Sequence, residues 1–358
     1  MTFLCALLFF AADWDTLLKD ARTKYAKGDY EAARVSVEEA LGLTGGMPPY
    51  DPKRYELSRL SAEIHTSLGN FTEAESAFLQ SINHREHGYG MKHALVADDL
   101  TAFAMMLRAK PEPDRALLVL DRSRQIHLLE GISSPALADD YSRMALIQMD
   151  LQNTGLAASL LEQTLQIREA TLGTGHPGLL AEIDRLAIAY INGREYTKAE
   201  GSYRRALVIR ERHFGKDSPE TLQNVEGLAY ALFGSKKFDE AENYYKRLLA
   251  LWQASAGKEH PMVATTLDKL SLLYREQDKW IEGQQAADSA MAYRTHFHAA
   301  GLVREAGFLM SKSKTHEARV LYKQALALLD SKRTEHTELI KQINEKLTGA
   351  APSTRKSK

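Results

Sequence analysis

"GTGHP" at residues 173–177, "GKDSP" at 215–219 and "GKEHP" at 257–261 repeat one short pattern along the chain. Two of the three set a His beside a Pro, a pairing that raises metal binding or catalysis. "GMKHA" from Gly90 and "GISSP" from Gly131 extend the set, with successive spacings of 41, 42, 42 and 42 residues. Five copies in register mark an internal repeat. Ser134 and Ser218 fill the slot that His176 and His260 fill elsewhere. Ser is a good helix N-cap and a poor metal ligand, so the interchange assigns the slot to capping. Gly then supplies the left-handed backbone that closes one helix, and Pro opens the next at its first position.

Other residues keep the same beat. Small side chains recur at Ala33, Ala74, Ala116, Ala157, Ala199, Ala241 and Gly283. Twelve residues before them stand Ala21, Ala62, Ala104, Ala145, Ala187, Ala229 and Ser271. Three residues before, a large ring recurs at Tyr30, Phe71, Tyr196, Phe238 and Trp280. Within each segment apolar residues fall at three- and four-residue intervals, so each is an amphipathic helix. The pattern predicts antiparallel helix pairs that cross at their small residues, with the ring filling the gap between one pair and the next. One pair cannot bury its apolar face alone, so neighbours stack into a solenoid. A last unit, with Ala306, Ala318, Tyr322 and Ala325, follows at a shorter spacing.

Composition agrees and sets limits. The 358 residues are 44% hydrophobic and 26% charged, as in a folded protein. The formal charge of −1 provides no field to draw in nucleic acid or an anionic membrane. The single Cys, Cys5, excludes a disulfide framework and a Cys-based zinc site. Cys5 lies in "TFLCALLFFAA", residues 2–12, a run too short to span a bilayer, which needs roughly 20 apolar residues. The run is read as a signal peptide for export to a periplasmic or secreted location, the alternatives being a buried first helix or a wrongly assigned start in a cytoplasmic protein. Residues 13–348 form the solenoid, and 349–358 a disordered basic tail.

The small–aromatic–small pattern, as in "YTKAEGSYRRALVIRERHFGKDSPETL" (196–222), resembles the tetratricopeptide repeat (TPR). With "LAASLLEQTLQIREATLGTGHPGLL" (156–180), the long period resembles the kinesin-light-chain type of array. The resemblance covers about residues 14–328. It implies an all-α, right-handed superhelical α-solenoid of about eight helix pairs, with first helices lining a concave groove that holds a peptide or protein segment.

The same resemblance places positions 2, 5, 6, 9, 12 and 13 of each first helix on the groove, counting the recurrent small residue as position 20. Position 6 then carries Lys19, Arg143, Arg185, Lys269 and Arg304, interrupted by Leu60, Ala102 and Gly227. Acids stand at position 5 (Asp184, Glu226, Asp268) and position 2 (Asp15, Glu56, Asp98, Asp139). Arg108 and Arg275 fall at position 12, Asn192 at 13, and Tyr230 and Phe233 at 9 and 12. One reading is a solvated helix face with i,i+4 charge pairs. The other is a basic ladder gripping carboxylates or backbone carbonyls of an extended ligand. The expected binding set is Arg143, Arg185, Asn192, Tyr230, Phe233, Lys269, Arg275 and Arg304. Kinesin-light-chain repeats often carry Asn at positions 6 and 13; here Asn192 alone matches, which departs from kinesin-type cargo recognition.

Chemistry elsewhere is sparse. His84 and His87 sit three residues apart, and "HFH" (296–298) is a second local pair; both are expected at half-exposed helix positions. No HExxH, GxxxxGK[ST] or GxSxG motif occurs. The sequence therefore points to a non-enzymatic scaffold with a protein or peptide partner, no cofactor, no metal, no nucleic acid and no membrane span. The alternative is a regulator that switches a partner protein when its array closes on a peptide or signal.

Overall fold

The computed structural model describes residues 13–48, 50–257, 260–333 and 336–349. The hydrophobic run with Cys5, the corner residues Lys258 and Glu259, and the tail after Gly349 lie outside the described residues. Sixteen α-helices and no strand occur among the described residues. Up to α13 they alternate as first and second helices of antiparallel pairs: α1 (Trp14–Ala26) with α2 (Tyr30–Gly42), α3 (Pro52–Ser67) with α4 (Phe71–Tyr89), α5 (Ala94–Ala109) with α6 (Pro113–Glu130), and α7 (Pro135–Asp150) with α8 (Thr154–Leu172). There follow α9 (Leu180–Asn192), α10 (Tyr196–Phe214), α11 (Leu222–Gly234), α12 (Phe238–Ala256), α13 (Pro261–Glu276), α14 (Trp280–Ser311), α15 (Thr315–Leu328) and α16 (Thr337–Gly349). The chain divides into two compact units, Met1–Gly193 and Arg194–Lys358.

The small-residue beat marks the crossings as expected. Ala21 and Ala33, Ala62 and Ala74, Ala104 and Ala116, and Ala145 and Ala157 are all fully buried. A methyl group at each crossing lets the two backbones approach, and larger side chains fill the space on either side. In the first unit, Phe78, Leu100, Phe103, Met106, Leu107 and Leu120 form one continuous core across α4, α5 and α6. Each such side chain contributes about 1.5–3 kcal/mol by leaving water. In the second unit, Ala299, Ala306, Ala318, Tyr322 and Ala325 pack with Leu339 and Ile343 of α16. Not every recurrent ring is interior, since Trp280 remains 63% exposed.

The corners confirm capping and correct its details. Gly90, Gly131, Gly173, Gly215 and Gly257 all have positive φ, from 84° to 124°. Their ψ values, 152° to 160°, place them in the extended mirror region open essentially to Gly rather than in the left-handed helical well. His residues cap. The Nδ1 atoms of His93, His176 and His260 accept from the N–H groups of Leu95 (3.1 Å), Gly178 (3.0 Å) and Met262 (3.3 Å). The Ser residues hold the same place without that bond. Ser134 donates to Glu130 at 3.1 Å and Ser218 to Glu220, because a carboxylate is the stronger acceptor for a hydroxyl. The stretch Gly173-x-Gly175-x-x-Gly178 spells a dinucleotide-loop pattern, but it follows helix α8 rather than a strand.

One expected corner is missing. The shorter-spaced last unit shares a single 32-residue helix, α14, with the pair before it. No Pro and no positive-φ Gly interrupts Trp280–Ser311, and its middle is Ala-rich, so nothing stops the helix. His296, expected half-exposed, is buried there and stacks on His336 with ring centroids 5.8 Å apart.

Candidate functional site

The first helices of the first unit share one face. Residues of α1, α3, α5 and α7 line a cavity of 740 Å³, with Phe78 and Arg85 of α4 and His127 of α6 reaching in from behind. Leu60, Phe78, Ala102, Met105 and Met106 make its apolar part. Its polar part is a set of pairs. Arg22 donates to Glu56 at 3.2 Å, and Arg59 to Glu63 at 2.8 Å and Asp99 at 2.6 Å. The cavity thus has a small apolar floor inside a largely charged and polar wall.

Of the expected binding set, Arg143 alone lines this cavity, 3.7 Å from Asp139. Arg185 on α9 lies 3.2 Å from Glu182 and 3.5 Å from Ser142. Asn192 is exposed at the end of the same helix. The remaining five belong to the second unit. Lys269 pairs with Glu226, Arg304 lies 5.8 Å from the Phe297 ring centroid, and Arg275 packs beside Gly283. Tyr230 meets Tyr196 edge-on at 6.3 Å, and Phe233 tilts against Phe238 at 5.8 Å. At position 6, Arg143, Arg185 and Lys269 therefore each lie against an acid, while Arg304 lies over a ring. The break at Gly227 has a steric cause: a Cβ there would overlap the Tyr203 ring.

A second ladder, absent from the sequence reading, runs behind the groove. Position 3 of successive first helices carries the buried Asp99, Asp140, Glu182 and Asn224. Each meets a residue near the end of the preceding second helix: Arg85 (3.0 Å), His127 (2.6 Å), Arg168 (3.1 Å) and Arg210. Ser81 adds a bond to Asp99 at 2.5 Å, and Ser123 two to Asp140 at 3.1 Å. The signal was legible: the four polar residues stand 41, 42 and 42 apart, and their partners 42, 41 and 42 apart. Each contact ties one helix pair to the next, and Arg85, His127 and Asp140 also line the cavity. His127 is the one member here whose charge is titratable near neutrality. The hydrogen bond to Asp140 raises its pKa, against the opposing effect of burial.

The two local His pairs take structural places. His87 donates to the Asn83 carbonyl at 2.9 Å and stacks on Tyr50 at 4.6 Å. His84 has a lowered pKa, caused first by burial and then by the nearby charges of Arg54 and His87. Among the described residues no group of three or more His, Cys, Asp and Glu side chains is placed to hold a metal ion. No helix among them is long and apolar enough to cross a membrane.

Tetratricopeptide-repeat family models match residues 18–86, 141–178 with 183–220, and 220–295. Among solved structures, the nearly identical TPR-like repeats of a protein described as a kinesin light chain from Podosopora anserina are 19% identical, with a TM-score of 0.51 over 59% of this chain and 99% of that one. The C-terminal part of a TPR repeat-containing protein from Cytophaga hutchinsonii is 16% identical, with a TM-score of 0.57 over 77% and 93%. The apo form of RapI is 14% identical, with a TM-score of 0.61 over 88% and 85%. At these identities the likeness is one of fold. No curated protein sequence matches the chain. Repeat models spread along the array, the buried small-residue crossings and the stacked helix pairs agree: the chain belongs to the tetratricopeptide repeat family, whose repeats imply a protein–protein interaction scaffold.

Proposed function

We propose that this protein is a non-enzymatic scaffold that binds an extended protein segment along its first helices, with the principal site in the first unit. The 740 Å³ cavity along α1, α3, α5 and α7 carries this reading. An extended strand advances about 3.3 Å per residue, so a ligand of about eight or nine residues would cross four helices packed about 8–10 Å apart. Met105 gives the apolar floor an adaptable surface. Arg143 contributes at the cavity rim by exchanging its long contact with Asp139 for a ligand group. In the same reading, Arg185 and Asn192 extend the polar contacts along α9. Lys269, Arg275 and Arg304, with the rings of Tyr230 and Phe233, supply contacts in the second unit.

The test is a comparative capture experiment. Ala102→Trp fills the cavity, and a triple variant, Arg143→Ala with Arg185→Ala and Lys269→Ala, removes three cations. Quantitative mass spectrometry of crosslinked partners should show specific partners lost with Ala102→Trp and weakened with the triple variant. Retention of every wild-type partner by both variants, each with an unchanged circular dichroism spectrum, would overturn the assignment.

A further inference from the structure

The charges around the cavity do not favour an acidic ligand. Arg22, Arg59, Arg85, Arg143 and His127 each face a carboxylate, of Glu56, Glu63, Asp99, Asp139 or Asp140. Asp139 is further held by Arg168 at 2.5 Å. Asp98 is different. Its backbone carbonyl accepts from Arg59 at 3.2 Å, yet its exposed carboxylate makes no hydrogen bond or ion pair among the described residues. Asp98, Thr101, Ala102 and Met105 all line the cavity, spaced by three, four and seven residues along one face of α5. A carboxylate with no direct hydrogen-bond or ion-pair partner among the described residues therefore stands at one end of a stripe whose other end is a thioether, with Arg59 and His127 near it.

We infer that the cavity selects an extended segment bearing a Lys or Arg side chain, with the aliphatic stem on Ala102 and Met105 and the cationic head on Asp98. This rests on the groove-binding reading above and sets its polarity. A basic side chain satisfies both ends of the stripe at once, because its stem is apolar and its head is charged. An acidic side chain would find its cations already engaged and would meet the field of Asp98.

The probes are three acetylated, amidated nonapeptides of Ala and Val, identical except for Lys, Gln or Glu at every third position. Binding is followed by methyl NMR of methionine-labelled full-length protein, with the Met105 signal assigned through Met105→Leu. The Lys peptide should shift Met105 and bind about fivefold more tightly than the Gln peptide, the scale of one partly exposed ion pair. Asp98→Asn should abolish that advantage while leaving the circular dichroism spectrum unchanged. A Lys advantage that persists in Asp98→Asn, or a Glu peptide that binds as well as the Lys peptide, overturns the polarity alone. Failure of all three peptides to shift Met105 overturns the groove reading with it.

Discussion

The Nδ1 atom of His127 on α6 lies 2.6 Å from Oδ2 of Asp140 on α7, and both side chains are buried. The corresponding junctions on either side use Arg85 with Asp99 and Arg168 with Glu182. The solenoid therefore holds one junction with a titratable cation where its neighbours use a permanent one. Ser123 and Thr101 also bond Asp140, Asp98 and Glu130 add to the field on the imidazole, and Arg143 stands at the cavity beside them.

Stability should consequently depend on pH through this pair. The folded-state pKa of His127 is raised above its ordinary value of 6.5. Its contribution is full below that value and is lost as pH rises through the folded-state pKa. Melting temperature measured from pH 6 to pH 9 should fall for the wild type. For His127→Gln the curve should be flatter across that window and lower at its acidic end, a drop equivalent to about 1–3 kcal/mol of stability for the buried partner left behind. Parallel curves for the two proteins would contradict the assignment.

Asp99→Ala should be among the most damaging single changes in the first unit. Asp99 is fully buried and receives Arg59, Arg85 and Ser81, so its removal leaves the largely buried Arg85 without its acid and Arg59 with Glu63 alone. A loss of about 3 kcal/mol in urea unfolding is expected, the range for breaking one side of a buried pair. A change smaller than about 0.5 kcal/mol, the usual surface effect, would show the ladder to be incidental.

Glycine should have opposite effects at the two kinds of turn. Lys236 and Asp278 sit at φ 60° inside their helix pairs, in the left-handed well, where an L side chain costs roughly 1–2 kcal/mol. Lys236→Gly and Asp278→Gly should raise the melting temperature. Gly173→Ala, at φ 84° and ψ 152°, should lower stability by about 1–3 kcal/mol, although a methyl there meets no neighbouring atom. Thermal denaturation of the three variants distinguishes backbone strain from packing.

Gly227→Ala tests why the position-6 series breaks in the second unit. The added methyl overlaps the Tyr203 ring, and a rigid ring in a packed interior cannot give way cheaply. Destabilisation of about 1–3 kcal/mol is expected, and Tyr203→Leu combined with Gly227→Ala should recover part of it. Additive losses in the double variant would show that the ring is not the cause.

Local chemistry made much of this protein legible in its residues. The period near 42, the Ala crossings and the Gly-to-Pro corners appear because each repeat must solve the same short-range problem of stopping, turning and packing helices. That reading also had limits within the same logic: Ser134 and Ser218 occupy cap positions without capping, and a missing Pro let α14 run through an expected corner. Sequence alone thus determined the repeat, its family and the first helices that line the cavity of the first unit. Tertiary structure decided which charges are spent. Arg143, Arg185 and Lys269 share a register but lie against Asp139, Glu182 and Glu226, while the Asp98 carboxylate has no direct partner among the described residues. Those partners are set by side-chain reach across neighbouring helices, a distance that periodicity along the chain does not carry.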